Sequence, residues 1–392
     1  MNFKLTDEQK MVQENAREFA NKEFPPLIKM YERQGITNEE YKQLFSIILP
    51  KFGENGFLGV TVPEKYGGFY ESSGLDTISA LLIMEEFAKV WGSGSLMFAV
   101  LNSLSVTPLL AFGTEAQKEK YLRVVAFGEK LGAYCLTEPN AGSDAGNMAT
   151  TAKKVDNGWI LNGSKLFITH ASLAHFCIIF AKDSMTGGKP TAFIVDTATK
   201  GFNIGKIEHK AGLWASPTAE IILEDCFVPE ENLLGEKEKG MKVALTTLDT
   251  GRLYIAAQAL GLSQGAWDWT VKYCKGRKQF EKPIIENQGI YFPLADFSIY
   301  LDAARLLMQK AAILKDAGEK FTKEASKAKI FATENSIKIT SDCMLFCGGI
   351  GYTEESPLPM FCRDAMATRI YEGANNIQRY VIAREENLTD KI

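Results

Sequence analysis

Residues 157–163 read NGWILNG. Two Asn-Gly pairs, each a strong signal for a tight turn because both residues tolerate positive φ, bracket the apolar triplet Trp159-Ile160-Leu161. The segment predicts a strand held between turns. Downstream, FCIIFA (176–181) and TAFIVD (191–196) are short apolar runs rich in β-branched and aromatic residues, separated by the polar loop KDSMTGGKP. AEIILEDCFVP (219–229) alternates as a half-buried strand does and stops at Pro229. Residues 119–232 therefore read as a β-domain.

Working outward, the period changes on both sides. In residues 1–118, Thr6 and Gln9 form a capping-box pattern, and Val12, Ala16, Phe19 and Ala20 share a helix face. LDTISALLIMEEFAKVW and SLMFAVLNSLSVTPLLAF carry helical spacing, after a Gly/Pro-punctuated loop at 56–74. Residues 233–392 hold three long helical patterns, the third stopping at Gly348-Gly349. The expected fold is mainly α with a β insert: an N-terminal helical domain, a central β-domain and a C-terminal four-helix-bundle domain.

Composition narrows the function. The 392 residues carry 44 basic and 48 acidic side chains, a net charge of −4, which argues against nucleic acid as a partner. No apolar run is expected to approach the ~20 residues of a membrane span. The N-terminus reads directly into a helix with no secretory or transit pattern, so a cytoplasmic protein is expected. Seven scattered cysteines and three histidines lack metal-ligand spacing, and no metal is assigned.

Four stretches carry candidate chemistry. RIYEGANNIQR (369–379) sets Glu372 and Gly373 between an aromatic and an amide-rich helix start. By itself Glu372 is a carboxylate well placed against a helix N-terminus. AYCLTEPNAGSD (133–144) is an irregular loop offering several hydrogen-bond donors to a planar ligand or a phosphate. RKQFEKPIIENQ (277–288) joins Arg277, a good phosphate partner, to Gln288; alone it reads as a solvated loop. GGIG (348–351) follows a helical pattern and not a strand, so it fails as a dinucleotide fingerprint.

Taken in order, these stretches resemble the acyl-CoA dehydrogenase family over nearly the whole chain. The likeness is carried by LTDEQ, VPEKYGG (62–68), AYCLTEPNAGSD, GSKLFITHA (163–171), VPEENLLG (228–235), LDTGR (248–252), RKQF with Gln288, CGGIGY (347–352) and RDAMATRIYEGANNIQR (363–379). The resemblance implies FAD, an acyl-CoA substrate, an electron-transfer flavoprotein as acceptor, and a homo-oligomer, typically a tetramer. It implies Tyr134, Leu136, Thr137 and Ser143 around the flavin ring and the thioester end of the substrate, with Phe167 and Thr169 against the ring. It implies Arg277, Phe280, Gln288, Gly348 and Gly349 at a cofactor bound mainly by the adjacent subunit, Asp249 and Arg252 near CoA, and Tyr371 and Gly373 beside the thioester. Glu372 falls on the catalytic base.

The implied reaction moves a proton from Cα to Glu372 and a hydride from Cβ to the flavin, giving an α,β-unsaturated thioester. Some members place the base just before the arginine of LDTGR; here that position is Gly251, which leaves the role to Glu372 and suggests free space for a branched or cyclic acyl group. Ala374, Asn376, Leu345 and Glu281 depart from the usual residues at cofactor contacts. Trp91, Phe98 and Val100 lie in the segment that lines the acyl pocket, where no cation is evident. A short, branched or alicyclic acyl group is expected. An acyl-CoA oxidase and a lyase-like relative on the same fold are the alternatives; retention of the base argues against the second, and the chain length against the first.

Overall fold

The computed structural model describes residues 4–69, 76–185 and 188–388. Parts of the two Gly-containing loops, at 70–74 and 186–187, lie outside the described residues. Helices come first: α1 (Asp7–Tyr31), α2 (Asn38–Glu54), α3 (Thr77–Ala88), α4 (Gly92–Ala99), α5 (Thr107–Phe112) and α6 (Glu115–Ala126). Thr6 and Gln9 make the reciprocal cap of α1, and Val12, Ala16, Phe19 and Ala20 are buried along it.

Between α4 and α5 the backbone stays helical but widens to π geometry over Val100–Val106. The resulting run, Gly92–Phe112, is 21 residues long and its most apolar 18-residue window has mean hydropathy 1.7, enough by length and composition to cross a membrane. However, 78% of its most apolar window is buried inside the protein. Its apolarity is masked in the sequence by polar residues that bond back along the helix: Asn102 Nδ2 donates to Phe98 O at 3.1 Å and Ser103 Oγ to Ala99 O at 2.7 Å.

The middle of the chain forms one eight-stranded sheet: β1 (Gly132–Cys135), β2 (Thr151–Val155), β3 (Gly158–Thr169), β4 (Phe176–Asp183), β5 (Thr191–Asp196), β6 (Phe202–Ile207), β7 (Thr218–Pro229) and β8 (Leu233–Leu234). The path is β6-β7-β3-β2-β4-β5-β8, with β1 parallel to the first half of β4. The turn of the β2–β3 hairpin falls on Asp156 and Asn157, the latter at φ 60°, and Gly158 is already the first residue of β3, paired with Val155. The second Asn-Gly pair does not turn the chain. Gly163 is a bulge inside β3, at φ 144°, where a Cβ would meet Thr150 Oγ1 at 2.7 Å. Glycine in a strand marks a bulge or a close approach as readily as a turn, and a twelve-residue strand runs through it.

The unbroken apolarity of FCIIFA has a direct cause. Phe176, Ile178 and Phe180 of β4 join the core shared with the helices, while Cys177, Ile179 and Ala181 face a second core inside the sheet. With both faces covered, polar alternation is lost.

The C-terminal part is α7 (Gly240–Gly276), a two-residue ribbon β9 (Lys278–Gln279) and β10 (Lys282–Pro283), then α8 (Gln288–Asp316), α9 (Thr322–Phe346), α10 (Leu358–Thr368) and α11 (Asn375–Glu385). Glycines let α7 press onto α3: a Cβ at Gly261 would lie 2.4 Å from Glu85 O, and one at Gly265 2.3 Å from Lys89 O. The helical bundle thus closes one side of the sheet domain, and the cleft between them contains the site.

Candidate active site

A cavity of about 280 Å³ lies where the loop after β1, the end of β3, the start of α7 and the segment before α11 converge. Apart from the acyl-pocket candidates, ten residues singled out in the sequence line it: Tyr134, Leu136, Thr137, Ser143, Phe167, Thr169, Arg252, Tyr371, Glu372 and Gly373. Leu96, Val100 and Leu104, spaced four apart along α4 and the π-helical stretch, supply an apolar wall. A larger groove of about 970 Å³ runs between α1, the end of α7 and residues 354–363. Its charged lining is partly self-paired, as in Arg17–Glu86 and Lys89–Glu86, and it brings none of these ten residues together.

The loop of residues 136–150 is fixed from beneath. Glu138 accepts from the backbone N–H of Ala149 at 2.5 Å and Thr150 at 3.1 Å, and pairs with Lys165 at 2.7 Å. Both members are buried, Lys165 completely. Burial of each charge is offset by the other and by backbone donors, which is the condition for such a pair to be tolerated. Across the cleft, Phe167 has φ 58° and leaves 59% of its surface exposed, a strained and solvated position for a phenylalanine.

Glu372 comes from the segment between α10 and α11 with φ 55°, followed by Gly373 at φ 87°. The positive φ at 373 favours glycine, and a Cβ there, 2.3 Å from Gln378 Nε2, would also displace the amide that bonds to Gly373 O. The Oε2 of Glu372 is buried and makes no hydrogen bond. Burial raises its pKa to about 7, against the opposing pull of Lys329 and then Arg252. Tyr371, beside it, donates its hydroxyl to Gln258 Oε1, and Gln258 Nε2 is held by Gly92 O at 3.0 Å and Ser95 Oγ at 3.1 Å.

Other residues fall elsewhere than expected. Asp249 does not line the cavity; it pairs with Arg252 and accepts from Thr322 Oγ1 at 2.5 Å. Of the acyl-pocket candidates only Val100 lines the cavity. Trp91 donates to Glu32 at 2.7 Å, and Phe98 packs against Phe87 and Tyr254. Gly251 leaves no free space: a Cβ there would sit 2.5 Å from Glu372 Oε2, so the glutamate itself occupies that volume.

Arg277, Phe280, Gln288, Leu345, Gly348, Gly349 and Asn376 lie on the exposed surface of the helical part, and Ala374 is half-buried; none lines the cavity. Sequence reading also missed several polar residues that hold the site: Lys165, Gln258, Ser326, Lys329 and Gln378. Their one available signal is a polar or charged residue on an otherwise apolar or small helix or strand face, as Lys329 is among Ala325, Ala328 and Ala332.

The matching domain descriptions follow the chain in order: "Acyl-CoA dehydrogenase, N-terminal domain" at residues 6–129, "middle domain" at 133–226 and "C-terminal domain" at 238–386. The chain belongs to the acyl-CoA dehydrogenase family. Among its relatives is the caffeyl-CoA reductase–Etf complex subunit CarC of Acetobacterium woodii, 43% identical over 97% of this chain and 98% of that protein. The solved butyryl-CoA dehydrogenase of Megasphaera elsdenii is 42% identical, covers 99% of this chain and 100% of its own, and superposes with a TM-score of 0.93. An acyl-CoA dehydrogenase from Bacillus anthracis, solved in complex with FAD, is 31% identical over 98% of this chain and 67% of its own, with a TM-score of 0.91.

Proposed function

We propose that this chain dehydrogenates a short acyl-CoA thioester between Cα and Cβ, with FAD as cofactor, Glu372 as the base and an electron-transfer flavoprotein as acceptor. The observation that carries this reading is the Glu372 carboxylate itself: one unpartnered, buried oxygen at the cleft cavity, where burial pushes the carboxyl up to about 7. A general base works best when its pKa lies near the working pH. A thioester α-proton is weakly acidic, so the site must also orient the substrate and exclude water.

The residues present fit the cofactor. Phe167, solvated and held at positive φ, offers a flat apolar face, while Thr137, Ser143 and Thr169 add hydroxyls around the same cleft. Leu136 and Tyr134 complete that wall. Arg277 makes no side-chain hydrogen bond or ion pair among the described residues, which leaves its guanidinium for a phosphate group. A Cβ at Gly348 or Gly349 meets nothing within 4 Å of the same chain, as expected where a ligand or a second subunit approaches. Phe280, at φ 51° and 98% exposed, and Gln288 belong to the same outer surface, as do Leu345 and Asn376, while Ala374 is half-buried. We assign these residues to FAD held across a subunit boundary. Bound there, FAD supplies the acceptor for the hydride that leaves Cβ.

Within the cavity, Glu372 takes the Cα proton. Tyr371 and Gly373 fix the segment that carries it, and Arg252, with Asp249 behind it, sets the local field. The wall of Leu96, Val100 and Leu104 favours an unbranched or lightly branched short chain, since the volume beside Gly251 is filled. A related CoA-ester reductase and a related butyryl-CoA dehydrogenase both argue for including aryl-acrylyl and butyryl esters among the candidates.

The test is anaerobic flavin bleaching with a panel of acyl-CoA esters, for the parent and Glu372→Gln. The variant should retain its flavin and bleach with dithionite, yet lose substrate bleaching by at least the ~10²–10⁴-fold of a general base. Parental bleaching by Glu372→Gln would remove the carboxylate from the reaction. Rapid peroxide formation on admitting O₂ would reassign the acceptor.

A further inference from the structure

We propose that Lys329 is a positioning residue for proton transfer: its side chain clamps the backbone on both sides of Glu372 and places a positive charge, not paired elsewhere, beside the segment that carries the carboxylate. The inference rests on the reading of Glu372 as the base.

The geometry is a clamp. Lys329, in α9, is 0% exposed, and its Nζ donates to Tyr371 O at 2.8 Å and to Gly373 O at 2.6 Å. These are the carbonyls of the residues flanking Glu372. The intervening backbone takes two successive positive φ values, 55° at Glu372 and 87° at Gly373. A non-glycine residue in that region persists only where its surroundings over-determine it. The same face of α9 supplies two neutral anchors. Ser326 Oγ donates to Gln378 Oε1 at 2.9 Å, and Gln378 Nε2 donates to Gly373 O at 3.0 Å. Thr333 Oγ1 accepts from Asn375 Nδ2 at 2.9 Å. Neutral side chains therefore suffice to tether this segment, and a buried ammonium is an expensive way to repeat the task.

The charge explains the expense. The ionisable groups facing Glu372 are Lys329 from α9, Arg252 from α7, Tyr134 from β1 and its neighbour Tyr371. Asp249 of α7 and Arg384 of α11 act on Arg252, and Asp364 of α10 acts on Tyr371. Arg252 is already paired with Asp249. Lys329 makes no ion pair within 4 Å among the described residues, and the carboxylate whose field it feels is that of Glu372. Burial pushes Lys329 down to about 7 while Glu372 holds it up, and burial pushes Glu372 up while Lys329 heads the groups that hold it down. Each group offsets part of what burial costs the other's charged form. Lys329 gains and loses no atom in the reaction; the proton passes from Cα to Glu372, and the lysine fixes where that carboxylate sits and how readily it is ionised beforehand.

The test reads the base directly. In the flavin-loaded protein, the carboxylic-acid C=O infrared band absent from Glu372→Gln reports the protonation of Glu372. Its midpoint is followed with pH in the parent and in Lys329→Met, Lys329→Gln, Lys329→Arg and Ser326→Ala. Both neutral lysine variants should raise the midpoint by about one pH unit or more, the scale of a nearby opposite charge. The kcat at neutral pH should fall by roughly tenfold or more with KM changed less, and recover in part as pH rises. Lys329→Arg should leave the midpoint near the parent's. Ser326→Ala, which loosens the same segment without changing charge, should also leave it there.

An unchanged midpoint in a folded neutral variant overturns the proposal, as does an equal shift in Ser326→Ala. If neither neutral variant folds, Lys329→Arg decides: a midpoint moved as far as one unit overturns the role of the charge. Parental bleaching by Glu372→Gln would defeat the base reading alone, because the infrared midpoint still measures the coupling.

Discussion

Glu372 shows how one residue acquires chemistry from its surroundings. Its carboxyl has an ordinary pKa of 4.5 in a free chain and is raised to about 7 in the folded protein. Between those values the folded state binds the extra proton, so stability from this group is complete below 4.5 and declines as pH rises through about 7. Glu372→Gln should therefore be more stable than the parent above neutrality, by on the order of 1–3 kcal/mol, and indistinguishable from it near pH 4. Chemical denaturation of both proteins across that range gives the comparison; equal stability at high pH would contradict the raised pKa. The kcat/KM of the parent should rise with pH through the same midpoint, since the ionised form is the base. Gly251 adds a steric prediction. A Cβ at 251 would lie 2.5 Å from Glu372 Oε2, so a second carboxylate there has to displace the end of the side chain at 372. Gly251→Glu should therefore restore more bleaching when paired with Glu372→Gly than when paired with Glu372→Gln.

Among the elements, α7 and α9 do most to build the site. α7 carries Arg252, Asp249 and Gln258 on one 37-residue helix, and its glycines set how deeply it seats. Gly261→Ala forces a Cβ to 2.4 Å from the Glu85 carbonyl, which backbone cannot yield cheaply. A loss of ~1–3 kcal/mol is expected from such overpacking, read as a lower unfolding temperature, with bleaching impaired because Arg252 and Gln258 shift along with the helix. Gly163→Ala should act more locally: it strains the bulge of β3 four residues before Phe167 and should weaken flavin retention more than global stability. α9 was legible as a helix from its spacing and its stop at Gly348-Gly349. That its one buried lysine points at the chain around Glu372 was not legible, because helical periodicity reports a face and not its neighbour.

The whole molecule exposes a row of apolar side chains that a lone chain does not explain. Phe292, Ile299, Leu306 and Ile313 recur every seven residues along α8 and are 55%, 64%, 49% and 45% exposed. A heptad stripe of this kind suits a helix-packing contact between subunits. Ile299→Lys together with Leu306→Lys should reduce the assembly, seen by light scattering, and lower flavin content with it if the cofactor spans the boundary. Arg277→Ala should lower flavin retention while leaving the fold of one chain intact, since its side chain makes no contact that the fold uses. A charge-assisted phosphate bond is worth roughly 1.5–3 kcal/mol, enough to register as flavin lost on gel filtration.

The sequence alone determined the succession of helices, sheet and helices, because hydrophobic period and turn residues act over a few positions. It also determined the residues gathered around the cavity, through motifs whose order spans the chain. It misread Gly163 as a turn and Gly251 as empty space, since a glycine states that no side chain fits and leaves open what occupies the volume. Only the tertiary structure decided those two, by bringing Thr150 against the first and Glu372 against the second. The same holds for Lys329, Gln258 and the Glu138–Lys165 pair: each works through a partner 27 to 166 residues away. Contacts over such separations are set by how whole elements pack, and no local pattern in the chain encodes them.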